Sequence, residues 1–305
     1  MLPHASFSDA VSDLKAAFAW LRLHLPEAIT ALCPASSVDL DSYITAGDSA
    51  GGILALLMPF VLSPKPRAVF EAYAITDLGE YHPPKPAHFP LSGLFSEDEI
   101  RAALEERDPG GAMTGNLYNV ELPPPFGRVR AEDLEKAIGR RLEEGEARGM
   151  ALRNDMSNYC LKHKLTLPLL FRHTFLDKPI LASGSPSQIA KAEADFQAQV
   201  QALSPLHLLR RQNEYPPTVI WHGTTDGGVP HSTHALPFLK ELDARGVDSL
   251  ALFAVGASHV FDAFIVEPSD QGWSDFVLPT MAFIKRHVPP DAALDGRDGR
   301  ERAKL

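Results

Sequence analysis

The sequence predicts an α/β fold: a mostly parallel sheet flanked by helices and interrupted by a large, mainly helical insertion. Three observations carry that prediction. Tyr43-Ile44-Thr45-Ala46 is a short run rich in strand formers that enters Gly47, and an apolar run of helical length, Ile53 to Leu57, leaves Gly51-Gly52. A strand therefore feeds straight into a helix. Two more short apolar runs, Pro217 to Gly223 and Leu250 to Val255, each end in a glycine-containing loop with a helical pattern downstream. Between Leu78 and about Ala202 the strand pattern stops, and short helical periodicities run between clusters of proline.

Composition bounds the function. The 305 residues are 45% hydrophobic and 22% charged, which is globular and ample for a buried core. The formal net charge is −10 and no basic cluster stands out, so nucleic acid is not an expected partner. Cys33 and Cys160 give neither metal spacing nor a disulfide framework and are expected as buried free thiols. His207 and the His163/His173 pair lack ligand spacing, so neither metal nor cofactor is expected. No apolar run reaches membrane-spanning length, no signal-peptide core opens the chain, and no Asn-x-Ser/Thr site argues for secretion.

Taken in order, Leu2 to Ala5 reads as loop, and Ser6 or Ser8 can cap the helix that follows. Val11, Leu14, Phe18 and Leu21 form its apolar stripe. Pro26 should interrupt that helix, with Cys33 to Ser37 as loop and a strand beginning near Ser42. Gly47-Asp48-Ser49-Ala50-Gly51-Gly52 then matches Gly-x-Ser-x-Gly at a strand-to-helix turn. There a serine sits in a strained, near-left-handed conformation, and side chains two residues to either side should collide. The following helix points its N-terminus at Ser49, where partial positive charge favours a developing oxyanion.

This hexapeptide resembles the nucleophile elbow of α/β-hydrolases of the hormone-sensitive-lipase-like esterase group. The resemblance covers residues 1 to about 78 and about 203 to 288. It implies a partial α/β-hydrolase fold, a Ser-His-Asp esterase mechanism and a cap formed by residues 79–202, with a disordered tail over 289–305. One departure matters. In that group a His-Gly-Gly-Gly segment supplies oxyanion donors beside the amide after the serine, here Ala50. No such segment occurs in this chain, and losing one donor costs about 10²–10³ in turnover. The group also builds about half its sheet before the helix that precedes the elbow. The elbow strand is then expected as an unpaired edge open to self-association. A truncated chain and a remnant with altered function both fit, and the sequence does not choose between them.

Beyond the elbow helix, Pro59 to Pro66 should form a turn and Arg67 to Ala74 the next strand. Within the insertion, Ser96-x-x-Glu99 is a capping box for a helix with Ile100 and Leu104 inward, closed by Pro109-Gly110-Gly111. Leu134, Ile138 and Leu142 share one face of a second helix. Leu165 to Leu176 is rich in Leu and Phe, and Ile189 to Leu203 is helical again. Ser204-Pro205 returns the chain to the core. Pro217 to Gly223 is a strand, a helix carries Phe238, Leu239 and Leu242, Leu250 to Val255 is the last strand, and a final helix carries Phe276, Met281, Phe283 and Ile284.

Ser49, Asp226 and His259 occur in the chain order that α/β-hydrolases use, each just past a strand's carboxyl end. His222 to Pro230 resembles the family's acid loop, with Asp226 as the acid. Of His222, His231, His234 and His259, only His259 follows the last strand, in Gly256-Ala257-Ser258-His259. His222 is expected to make a structural hydrogen bond to the acid loop, and His231 and His234 to lie on the surface. Asp243 and Asp262 are weaker acid candidates. The expected function is cleavage of a small-molecule carboxylic ester through an acyl-enzyme. The alternative is a catalytically impaired binding or partner protein lacking the glycine segment. Finally, Ala303-Lys304-Leu305 resembles a peroxisomal Ser-Lys-Leu signal, which sets peroxisome against cytoplasm as the expected address.

Overall fold

The computed structural model describes residues 5–34, 36–81, 91–106, 139–141, 144–171 and 184–288. The helix expected over Leu134, Ile138 and Leu142 lies outside these residues. So do the proline clusters at 83–86 and 123–125, the Pro109-Gly110-Gly111 stop, and the tail with its terminal tripeptide. The chain divides into two compact units, one of Met1–Trp20 with Asp77–Ser204 and one of Leu21–Thr76 with Pro205–Leu305.

The second unit holds the sheet. β1 (Ile44–Asp48), β2 (Ala68–Ala72), β3 (Thr218–Gly223) and β4 (Ser249–Ala254) lie side by side in the order β1-β2-β3-β4, all parallel. β3 is buried along its whole length, which a parallel strand covered on both faces requires. On one face Leu56, Val69, Ile220, Phe238 and Leu242 pack together, and on the other Ala72, Tyr73, Val219, Trp221 and Phe283. Val69 and Ala72 serve opposite faces because strand side chains alternate. Among the described residues β1 pairs only with β2, so it is an edge strand as expected.

Helices α1 (Phe7–Leu32) and α2 (Ser49–Val61) both run past a proline expected to stop them. Pro26 and Pro59 each remove one backbone donor and leave the rest of the ladder intact. The Thr30 hydroxyl donates to the Pro26 carbonyl at 2.8 Å, and α2 closes where the Leu62 amide donates to the Met58 carbonyl at 2.9 Å.

In the first unit α3 (Glu97–Glu105) starts with the expected capping box of Ser96 and Glu99, and buries Ile100 and Leu104. These pack with Met156, Tyr159 and Cys160 of α4 (Glu144–Lys162) and with Leu169 of the short α5 (Thr166–Leu170). α6 (Pro186–Ala202) carries a second capping box, Ser185 with Gln188. Asp155 is fully buried because its carboxylate accepts from both the amide and the hydroxyl of Ser92. Both cysteines are free thiols. Cys160 is buried, but Cys33, just past the end of α1, is exposed, contrary to expectation.

Returning to the second unit, α7 (Pro205–Arg210) and α8 (Ala235–Ala244) pack beside one another. The final helical stretch splits into one π-helical turn, Trp273–Val277, and α9 (Leu278–His287). Among the described residues no helix is long and apolar enough to cross a membrane, and no group of His, Cys, Asp and Glu could hold a metal ion.

Candidate active site

β1 delivers Ser49 into a turn. Its φ is +47°, a left-handed conformation that residues with a Cβ rarely adopt. Two glycines make the turn feasible. A Cβ on Gly47 would lie 2.3 Å from the Gly51 carbonyl oxygen, and one on Gly52 would lie 2.7 Å from the Ala74 Cβ. Gly51 differs from expectation: a Cβ there meets only Asp48 Oδ1, at 3.7 Å, an ordinary contact. The close approach on the helix side therefore belongs to Gly52. Ala50 follows in the first turn of α2, where amides have no partner within the helix and point out of its end.

The loop after β3 holds Asp226, whose side chain is inaccessible to solvent. Its Oδ1 accepts from the amides of Gly228 at 2.9 Å and Val229 at 2.8 Å, and its Oδ2 lies 2.6 Å from His259 Nδ1. His222 Nε2 lies 2.7 Å from the Val229 carbonyl and 3.5 Å from Asp226 Oδ2, the expected structural bond to the acid loop. Burial alone would raise the Asp226 pKa. Hydrogen bonds from His222, His259 and Val229 outweigh it and hold the carboxyl well below the usual range.

The loop after β4 carries His259. It is tied to the acid loop where the Thr225 amide and hydroxyl donate to the Ala257 carbonyl, at 3.0 and 2.9 Å. Val260 then turns left-handed, φ +59°, into a 3₁₀ turn at Phe261–Phe264. His259 Nε2 lies 3.0 Å from Ser49 Oγ. Ser49, His259 and Asp226 thus form one hydrogen-bonded line. With Nδ1 protonated and donating to Asp226, Nε2 is free to accept the serine proton.

The other candidates are placed elsewhere. His234 is fully buried rather than on the surface, because the start of α8 that it precedes packs Ala235 and Phe238 into the core. Asp262 does not reach an imidazole as an acid would; its Oδ1 accepts the Tyr73 hydroxyl at 2.8 Å. Tyr73 itself escaped the sequence reading. An aromatic at a strand end is visible in the sequence, but nothing there reveals its φ of +42° or the imidazole beside it. These strand-end loops lie on one parallel sheet flanked by helices, with the serine at a strand-to-helix turn.

No family model matches the chain. It is 27% identical over 294 residues to the non-reducing polyketide synthase Preu6 of Preussia isomera, covering 93% of this chain and 11% of that protein. It is 25% identical over 298 residues to the non-reducing polyketide synthase mapC of Penicillium brevicompactum, covering 94% and 11%. Methylphloroacetophenone synthase of Cladonia uncialis is 26% identical over 273 residues, covering 88% and 10%. The chain spans about a tenth of the length of these relatives. Among solved structures, esterase Est2 of Thermogutta terrifontis is 17% identical, with 94% of this chain and 68% of that one covered and a TM-score of 0.45. A sugar hydrolase of Lactococcus lactis is 13% identical, with 92% and 69% covered and a TM-score of 0.44.

Proposed function

We propose that this chain is a serine hydrolase that cleaves a carboxylic ester or thioester through a Ser49 acyl-enzyme, with His259 as base and Asp226 as its partner. The observation that carries the reading is the line Ser49 Oγ–His259 Nε2, 3.0 Å, and His259 Nδ1–Asp226 Oδ2, 2.6 Å. Ser49 Oγ attacks the acyl carbonyl while Nε2 takes its proton. The negative charge on the carbonyl oxygen develops toward the Ala50 amide at the α2 N-terminus. His259 then protonates the departing alkoxide or thiolate, leaving the acyl group on Ser49. A water, deprotonated by the same Nε2, hydrolyses that ester and regenerates the enzyme. Asp226, kept ionised by its hydrogen bonds, fixes the imidazole tautomer and stabilises the imidazolium in both halves.

The similarity to a segment of polyketide synthases supports an acyl group of polyketide type, delivered as a thioester and released as the acid. Incubation with a fluorophosphonate probe and mapping of the labelled peptide tests the mechanism, since labelling requires an activated serine. Single-turnover hydrolysis of aromatic and aliphatic acyl N-acetylcysteamine thioesters tests the substrate class. Labelling at Ser49 that disappears in His259→Ala is the expected result. No labelling of the folded wild-type chain would overturn the hydrolase reading in favour of a binding role.

A further inference from the structure

Tyr73 follows directly on β2, the strand between the one that carries Ser49 and the one that carries Asp226. Its backbone is left-handed, and its amide donates to the Trp221 carbonyl at 2.7 Å, so the turn is pinned to β3. Such a conformation in a residue with a Cβ persists only where the surroundings enforce it, and it tends to mark functional positions. The side chain is 1% exposed and touches the His259 segment twice. Its ring stands edge-on to the His259 imidazole, 4.7 Å between centroids at 62°. Its hydroxyl donates at 2.8 Å to Asp262, which follows His259 in the same loop.

We infer that Tyr73 is a positioning residue for His259: the ring sets the imidazole plane and the hydroxyl tethers the His259 loop through Asp262. This inference rests on the proposed roles of Ser49, His259 and Asp226. The tether has a second effect. It engages Asp262 Oδ1 with the phenol, while the Nδ1 of His259 keeps its own hydrogen bond to Asp226 Oδ2. The phenol suits the task. Burial, then its bond to Asp262 and the charges of Asp262, Asp48 and Asp226, push its pKa far above the ordinary value, so it remains a donor wherever the enzyme works. Being buried, it touches no substrate and acts only through His259.

Tyr73→Phe keeps the ring and removes the tether; Asp262→Ala removes the same tether from its other end. Each is compared with wild type for kcat, KM, thermal midpoint and the solvent exchange rate of the His259 Nδ1 proton, followed by NMR. Tyr73→Phe is expected to lower kcat by about tenfold at unchanged KM, since small misplacements of a catalytic group cost up to about 10². It should also speed the Nδ1 exchange by a similar factor. Asp262→Ala should match it, and the double variant should be no worse than either single one. Wild-type kcat and exchange in Tyr73→Phe, or a fall in thermal midpoint alone, would overturn the inference. The exchange measurement needs no turnover. Exchange that responds in a chain without hydrolase activity leaves the tether standing and the proposed function refuted. An active chain whose exchange ignores Tyr73→Phe does the opposite.

Discussion

Glu71 sits in the middle of β2, paired with Gly47 on one side and Ile220 on the other, and is wholly buried. Its Oε2 accepts from the Ala74 amide at 2.8 Å, and its Oε1 has no hydrogen-bond partner among the described residues. Burial raises its pKa from 4.5 to about 8, with the Ala74 bond pulling the other way. Folding therefore takes up a proton between these values. The folded pKa is the higher one, so this contribution to stability is fully present below about pH 4.5 and is lost as pH rises through about 8. The slope is about −1.4 kcal/mol per pH unit, so the loss between pH 5 and pH 7.5 is about 3 kcal/mol. Glu71→Gln cannot ionise and should lack this loss. Urea melts followed by tryptophan fluorescence at the two pH values read it directly. The wild-type midpoint should fall relative to the variant's on going to pH 7.5. Equal pH dependence in the two proteins would refute the buried-acid reasoning. The carboxyl also matters to the elbow, because Gly52 packs on the Ala74 whose amide it holds.

Ser49→Ala, His259→Ala and Asp226→Asn should each lower ester or thioester hydrolysis by about 10⁴-fold or more with the circular dichroism unchanged. His222→Ala should cost only about tenfold, since His222 supports Asp226 from behind; a loss equal to that of His259→Ala would mean that the base has been misassigned. Gly52→Val places a branched side chain where even a Cβ lies 2.7 Å from the Ala74 Cβ. It should destabilise the chain by about 2 kcal/mol or more, read as a lowered thermal midpoint. The carboxyl of Asp226 is held well below its ordinary range, so its contribution to stability is present above about pH 4 and lost as pH falls further. Asp226→Asn should accordingly flatten the acid limb of the stability curve.

The elbow was legible because its constraints are local: Gly47-x-Ser49-x-Gly51 declares the turn, although the close approach on the helix side falls on Gly52 rather than Gly51. Asp226 and His259 were legible because a parallel sheet puts loop residues after every strand on one edge. Other features depend on what packs from elsewhere in the chain. Glu71 reads as an ordinary strand residue until the helices covering the sheet bury it. His234 reads as a surface histidine until Ala235 and Phe238 pull the start of α8 inward. Pro26 and Pro59 read as stops, yet the remaining bonds of each helix carry it through. Tyr73 and Asp262 lie far apart in sequence and gain meaning only as a pair.

The strand order explains why a fourth strand end is needed beside the three that hold Ser49, Asp226 and His259. Ser49 leaves β1, Asp226 leaves β3 and His259 leaves β4, while β2 lies between the first two. Neighbouring strands are about 4.8 Å apart, so β4 is about 14 Å from β1. His259 must reach back across β3 and β2 to come within 3.0 Å of Ser49. A loop spanning that distance gains nothing from the sheet's own hydrogen bonds and has many arrangements to lose. The acid loop steadies its first part through the Thr225 bonds to Ala257. Beyond His259 the chain turns left-handed at Val260, and the next polar anchor is Asp262 on Tyr73. The crossed strand thus supplies the support that its position makes necessary, and among the described strands Tyr73 stands at the one end with no other part in the site.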